Sequence, residues 1–374
     1  MSTQDTSKAI PLAFAHEQSP VRLLELPPSL VSLIENSTFK GSSPILKIKA
    51  STPIPTDGSA APNHPPPFAV LTTATETFSI RSVHSSNSIF ILKPAMIPTL
   101  SSSQEDQDSD TEMSDFKIPS PLKPGVLVTS TCASHLELIP SKPDTELLLH
   151  SLLTEYISPA HTLQRLSEAP TKTQLVKDTP VSDAEFTQGW IDASCFEIDG
   201  HAVRLTPASC LQLFKTIINI MYAVAGSESQ WRNEGIGMDE VMDAIKEDGE
   251  LDEWPTDALR AVVRGSWELK KDLDGSLGYS FNAPHAARWV GKHVLIANPD
   301  KSFTESEFLN VWKDNVSADC ADLLDLKILD GFYTQSALGV VRYVHGSAAA
   351  EASSSAASSK KKKWHEKFAA GKKR

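Results

Sequence analysis

The side chains best suited to chemistry in this chain are scattered. His135-Leu136-Glu137 carries the His-x-Glu half of a zinc-deaminase signature, in which the glutamate moves protons beside a histidine-held metal. The Pro-Cys-x-x-Cys half that would supply the thiolates is missing. His365-Glu366 begins as a zincin helix does, but the second ligand must stand four residues after the first, and Ala369 is there. Gly235-Ile236-Gly237 has two glycines of a phosphate loop and neither the third glycine nor the lysine. No Gly-x-Ser-x-Gly elbow occurs. Cys132, Cys195, Cys210 and Cys320 have no metal or redox spacing and read as reduced thiols, and the eleven histidines form no clustered set. The sequence therefore predicts a non-enzymatic chain with no cofactor and no metal.

The elements that position these residues fall into two kinds. Around Val70–Leu92, Phe78 and Ile80 alternate with Thr77, Ser79 and Arg81, the pattern of a strand with one wet face. Ser85-Ser86-Asn87 reads as a turn and Ile89–Leu92 as a further, fully apolar strand. Strands are also expected at Val21–Leu26, Ile45–Ala50, Gly125–Thr131 and Leu136–Ile139, with a short helix over Ser29–Asn36. Residues 51–67, rich in proline, and 98–124, with six acids between Glu105 and Asp115, read as disordered loops. This gives a β-domain over 21–140 behind a disordered 1–20. Its edge strands present unpaired backbone to other chains.

After Pro143 the period becomes helical. Ser182–Glu185 and Thr304–Glu307 are capping boxes. Asp199-Gly200 and Asp274-Gly275 sit between apolar runs as two-residue hairpin turns do, because a type I′ turn needs positive φ. Thr206-Pro207 starts a long helix. Helix, helix, hairpin recurs three times, the layout of tandem winged helices, placed at 141–226, 227–298 and 299–346. Residues 347–374 form a disordered basic tail. The fold class expected is α+β: an N-terminal β-barrel-like domain followed by tandem winged-helix domains.

The 374 residues carry a net charge of −12, which argues against wholesale nucleic-acid binding. The N-terminus has no signal-peptide pattern, and no apolar run approaches the ~20 residues of a membrane span. Candidate contacts to DNA or to a protein are Lys270, Lys271, Arg288, Lys292 and Lys313, sparse among acids, so any DNA contact is expected to be weak and non-specific. Lys360, Lys361, Lys362 and Lys363, with Trp364 and Phe368, read as a nuclear import signal or a phosphate-touching arm.

Arg22-Leu-Leu-Glu-Leu, Leu46-Lys-Ile-Lys, Ala69-Val-Leu-Thr-Thr, Thr77-Phe-Ser-Ile-Arg and Ser86-Asn-Ser-Ile-Phe-Ile-Leu resemble the N-terminal half of the sister chromatid cohesion protein DCC family. Phe303-Thr-Glu-Ser-Glu-Phe-Leu-Asn-Val-Trp-Lys, Asp325-Leu-Lys-Ile-Leu-Asp-Gly-Phe-Tyr and Val341-Arg-Tyr resemble its last winged helix. The family's members are subunits of an alternative, cohesion-linked replication factor C-like clamp loader. The resemblance implies that the β-domain joins the small subunit and the C-terminal tail of the large ATPase subunit in a composite barrel. It also implies that the winged helices contact DNA polymerase ε, through its catalytic subunit, that the sliding clamp is met indirectly, and that the protein is nuclear. Phe78, Ile80, Ile89 and Phe90 are the candidate partner-binding residues. The competing reading is a winged-helix transcription factor with a dimeric β-barrel.

Overall fold

Alternating side chains make strands the main elements among the described residues of the first third of the chain, with one helix between them. The computed structural model describes residues 10–39, 41–50, 68–98, 122–160, 166–225, 231, 235–271, 277–336 and 339–344. In chain order the elements begin β1 (Leu12–Phe14), β2 (Leu23–Glu25), α1 (Pro28–Phe39), β3 (Lys47–Ala50), β4 (Ala69–Thr72), β5 (Thr77–Pro98) and β6 (Leu122–Ser141). The chain divides into two units, one of residues 1–45 and 78–141, the other of 46–77 and 142–374.

The first unit is a curled sheet built on two very long strands. β6 lies between β5 and β1, and β2 also pairs with β6. β1 and β2 both run parallel to β6, with Phe14 opposite Val128 and Glu25 opposite Glu137. Four expectations are corrected here. Ser85-Ser86-Asn87 makes no turn: β5 runs through it unbroken for 22 residues. Short polar side chains suit a strand exposed on both faces as well as they suit a turn. The strands expected at 125–131 and 136–139 are one strand, and the loop expected over 98–124 is shorter at both ends, because Pro98 closes β5 and Leu122 opens β6. β1 lies inside the stretch expected to be disordered. Residues 51–67 fall outside the described residues.

The second unit opens with the antiparallel β3–β4 hairpin and continues through α2 (Thr145–Leu152), β7 (Thr154–Tyr156), α3 (Lys172–Asp178), α4 (Asp183–Asp192), β8 (Cys195–Ile198) and β9 (His201–Leu205). Next come α5 (Pro207–Ala225), α6 (Met238–Asp248), α7 (Thr256–Ser266), β10 (Glu268–Lys271) and β11 (Leu277–Ser280). The last set is α8 (Ala283–Ile296), β12 (Phe303–Thr304), α9 (Glu305–Asp314), two 3-10 turns (Ala318–Leu323, Leu326–Leu329), β13 (Tyr333–Gln335) and β14 (Val340–Tyr343).

One strand order recurs in these three sets. A very short strand after the opening helix pairs with the last strand, giving β7-β9-β8 and β12-β14-β13. In the middle set the short strand shrinks to a bridge between Ile236 and Tyr279 of β11, beside β10. A Cβ on Gly278 would come within 3.2 Å of the Ile236 backbone nitrogen, so this approach depends on glycine.

Local chemistry explains the boundaries. Ser182 and Thr304 cap α4 and α9 in reciprocal boxes with Glu185 and Glu307. Asp199 and Gly200 both have positive φ, 50° and 81°, as a type I′ turn requires. Gly249 closes α6 at φ 81°. One apolar core runs from Tyr156 to Val341, centred on α5 and α8, with Trp231 stacked on Trp267 at 5.3 Å. A smaller core joins α2, α3, α4 and β8 through Leu149, Leu175, Phe186 and Trp190. No helix among the described residues is long and apolar enough to cross a membrane.

The β3–β4 hairpin belongs to this helical unit for a reason visible in its side chains. The buried Lys49 ammonium donates to Val176 O and Val181 O, both at 2.7 Å. Lys47 pairs with Asp183 at 2.8 Å. Thr77 Oγ1 donates to Glu185 Oε2 at 2.5 Å and accepts from Ser182 N at 2.8 Å. The hairpin is thus fastened to α3 and to the start of α4, and Thr77, which opens β5, bonds the cap of α4.

Candidate interaction surfaces

On β5, Phe90, Leu92 and Met96 stand two and six residues apart and so share one face of the strand, and they are 47%, 48% and 57% exposed. Phe14 of β1, 55% exposed, packs edge-to-face on Phe90 with centroids 5.8 Å apart, which places its ring on the same face of the sheet. This aromatic pair and its aliphatic neighbours are about half exposed. A soluble chain seldom leaves such a row bare unless another surface covers it. Of the four partner-binding candidates, Ile89 and Phe90 are exposed and Ile80 is half-buried. Phe78 is a core residue, 1% exposed, because the start of β5 is covered where its later half is not. Sequence reasoning missed Phe14, Leu92 and Met96; their even spacing on β5 was the signal available for the last two.

The same sheet carries a polar cluster. Arg81 of β5 donates to Glu137 Oε2 at 2.5 Å, and this hydrogen bond holds the Glu137 carboxyl below the usual carboxylate range. His135, two residues earlier on β6 and therefore on the same face, turns Nε2 toward Glu137 Oε1 at 3.6 Å and toward Glu25 Oε2 of β2 at 3.5 Å. The spacing of His135 and Glu137 was legible in the sequence; their meeting with Glu25, fixed by the β2–β6 register, was not.

The cationic candidates of the helical unit are not gathered into one patch. Lys270 and Lys271 are neighbours on β10 and so point to opposite sides, and Lys313 is exposed at the end of α9. Lys292 is turned inward, 9% exposed, and its ammonium meets Glu146 at 2.6 Å. It corrects the expectation of a surface contact, because this pairing occupies its charge. Arg288, one turn earlier, donates from Nε to Ile328 O at 2.9 Å, and both cations lie 5.2 Å from the Phe332 ring centre. These residues line a cleft of 550 Å³ with Lys142, Asp192, His285 and Trp289. Burial raises the Glu146 carboxyl, opposed by the Lys292 charge. The result is a buried ion pair that ties α2 to α8. Lys360–Lys363 and the Asp274-Gly275 turn lie outside the described residues.

The remaining groups that could carry chemistry are shut away. All four cysteines are buried, and burial pushes the Cys195 and Cys210 thiols up, the latter to about 12, which suppresses the reactive thiolate.

No curated protein matches the chain significantly. The family model of the sister chromatid cohesion protein Dcc1 matches residues 21–348, covering both units, the apolar face of β5 and the three repeated sets; the chain belongs to this family and has its role in sister chromatid cohesion.

Proposed function

We propose that the protein is a non-enzymatic scaffold subunit of an alternative, replication factor C-like clamp loader that loads or unloads the sliding clamp at replication forks in the nucleus. The observation that carries this reading is the uncovered apolar row of Phe90, Leu92 and Met96, joined by Phe14. Strands from the small subunit and from the large ATPase subunit would cover it and complete the curled sheet, with main-chain hydrogen bonds at the free edges supplying affinity. The three repeated sets are read as winged helices: the order helix, strand, helix, helix, strand, strand and the pairing of first strand with last both support this. In this reading the repeats run from α2 to β9, from α5 to β11 and from α8 to β14, and they dock the assembly on the catalytic subunit of DNA polymerase ε.

The transcription-factor reading has less support. A winged helix reads a major groove with its third helix. In the middle repeat that helix is α7, which buries Ala258, Leu259, Ala261, Val262, Val263 and Gly265. In the first repeat it is α4, whose charged residues are Asp183, Glu185 and Asp192. α7 turns most of its side chains into the core, and the carboxylates of α4 repel phosphate.

The test is reconstitution. Co-expressed with the two loader subunits, the full chain should form a stable ternary complex. Phe90→Asp with Leu92→Asp should weaken it by roughly a hundredfold or more, because charges at the centre of an apolar interface cost several kcal/mol. Unchanged complex formation by that variant would overturn the assignment of this face.

A further inference from the structure

We propose that Glu25, His135 and Glu137 form a binding site for one divalent transition-metal ion of the zinc class. Nε2 of His135, Oε2 of Glu25 and Oε1 of Glu137 all lie within 4.8 Å of one another. The two histidine–carboxylate separations, 3.5 and 3.6 Å, exceed the 2.7–3.2 Å range of good hydrogen bonds. They match the edge of a coordination tetrahedron, which bonds of about 2.0–2.1 Å make roughly 3.3–3.4 Å long.

The surroundings have the form of a ligand shell. Glu137 divides its carboxylate: Oε2 accepts from Arg81, and Oε1 is left for the cluster. Ligating carboxylates are characteristically held by such an outer hydrogen bond. Nε2 is the ring nitrogen of His135 that faces both carboxylates, while Nδ1 is closed off from solvent and makes no hydrogen bond. Both Glu137 and His135 are held on the long strand β6, while Glu25 comes from β2 in register with Glu137. One imidazole nitrogen with two carboxylate oxygens suits zinc and its neighbours, whereas magnesium prefers an all-oxygen octahedron. Three protein ligands leave a fourth position for water. The ion would pin the three-residue strand β2 to β6.

The site stands independently of the scaffold assignment, since assembly with loader subunits and metal affinity are read in separate experiments. The test uses the full chain without a histidine tag, stripped with a chelator and titrated with Zn²⁺ against a chromophoric competitor. One equivalent should bind. Co²⁺ should give the intense visible bands of a four-coordinate site, and excess Mg²⁺ should displace neither ion. His135→Gln and Glu25→Gln should each lower the affinity at least about tenfold. Glu25 is two-thirds exposed, so its variant keeps the test decisive even where His135→Gln disturbs the sheet. Absence of a stoichiometric site in the parent chain, or equal affinity in both variants, would overturn the proposal.

Discussion

His293 shows how a single buried side chain couples the stability of the helical unit to pH. It lies on α8 against the ring of Trp289, 3.8 Å between centroids, and Nδ1 meets the Trp289 carbonyl at 2.8 Å. Burial first, and then the Lys292 charge, push its pKa down from 6.5 to about 3. The unfolded chain therefore holds this proton more tightly than the folded one. The stabilisation is complete above the ordinary value of 6.5 and is lost as the pH falls from there toward 3, by an amount on the order of a few kcal/mol. Melting temperatures measured between pH 8 and pH 5 should fall with acidification in the parent chain, and His293→Phe should flatten that slope. An equal slope in both would show that other groups govern the acid limb. His293 could not be singled out in the sequence, because nothing in its neighbours reveals that α8 is buried on nearly every side. Ile89 and Phe90, by contrast, were legible as an apolar run, and the structure adds that Phe90 is bare.

At the scale of elements, helix packing rests on a few positions where no side chain fits. A Cβ on Gly291 of α8 would come within 2.5 Å of Trp312 Cε2 and 2.9 Å of Leu329 Cδ1. Trp312 is itself fixed by its Nε1 donating to Ala287 O at 2.9 Å and cannot swing aside. Gly291→Ala should therefore destabilise by about 2–3 kcal/mol, despite its better helix propensity, and a denaturant titration would measure it. Elements whose signal is local were readable in advance: the Ser182 and Thr304 capping boxes, the Asp199-Gly200 turn and the Thr206-Pro207 start of α5 all stand where the residues put them. The opening strand of each repeated set was not readable. β7 has three residues, β12 two, and the middle one is a single bridge, too short for any alternation to register. The capping box of Thr171 and Gln174 at α3 had a readable signature that a run of loop-like residues before it obscured.

Across the whole molecule, the division of the chain does not follow its order. Residues 46–77 group with 142–374, while 78–141 group with 1–45. A cut at residue 140, natural from the sequence alone, would strand β3–β4 away from α3 and α4. A fragment of 142–344 should accordingly be less stable than the same fragment carrying 46–77 on a linker, by roughly 3–5 kcal/mol, for the lost bonds of Lys49, Lys47 and Thr77. Thermal melts of the two would decide it, and equal midpoints would show that the hairpin is a passenger. The arrangement also has a cost in time. Lys47 and Asp183 are 136 residues apart in the sequence. At about 5–20 residues per second of synthesis, the nascent hairpin waits on the order of 10–30 s for the helix that receives it. For that interval its lysines and apolar side chains are on offer to whatever the ribosome exit brings near, so this is the span of biogenesis in which a chaperone has most to protect.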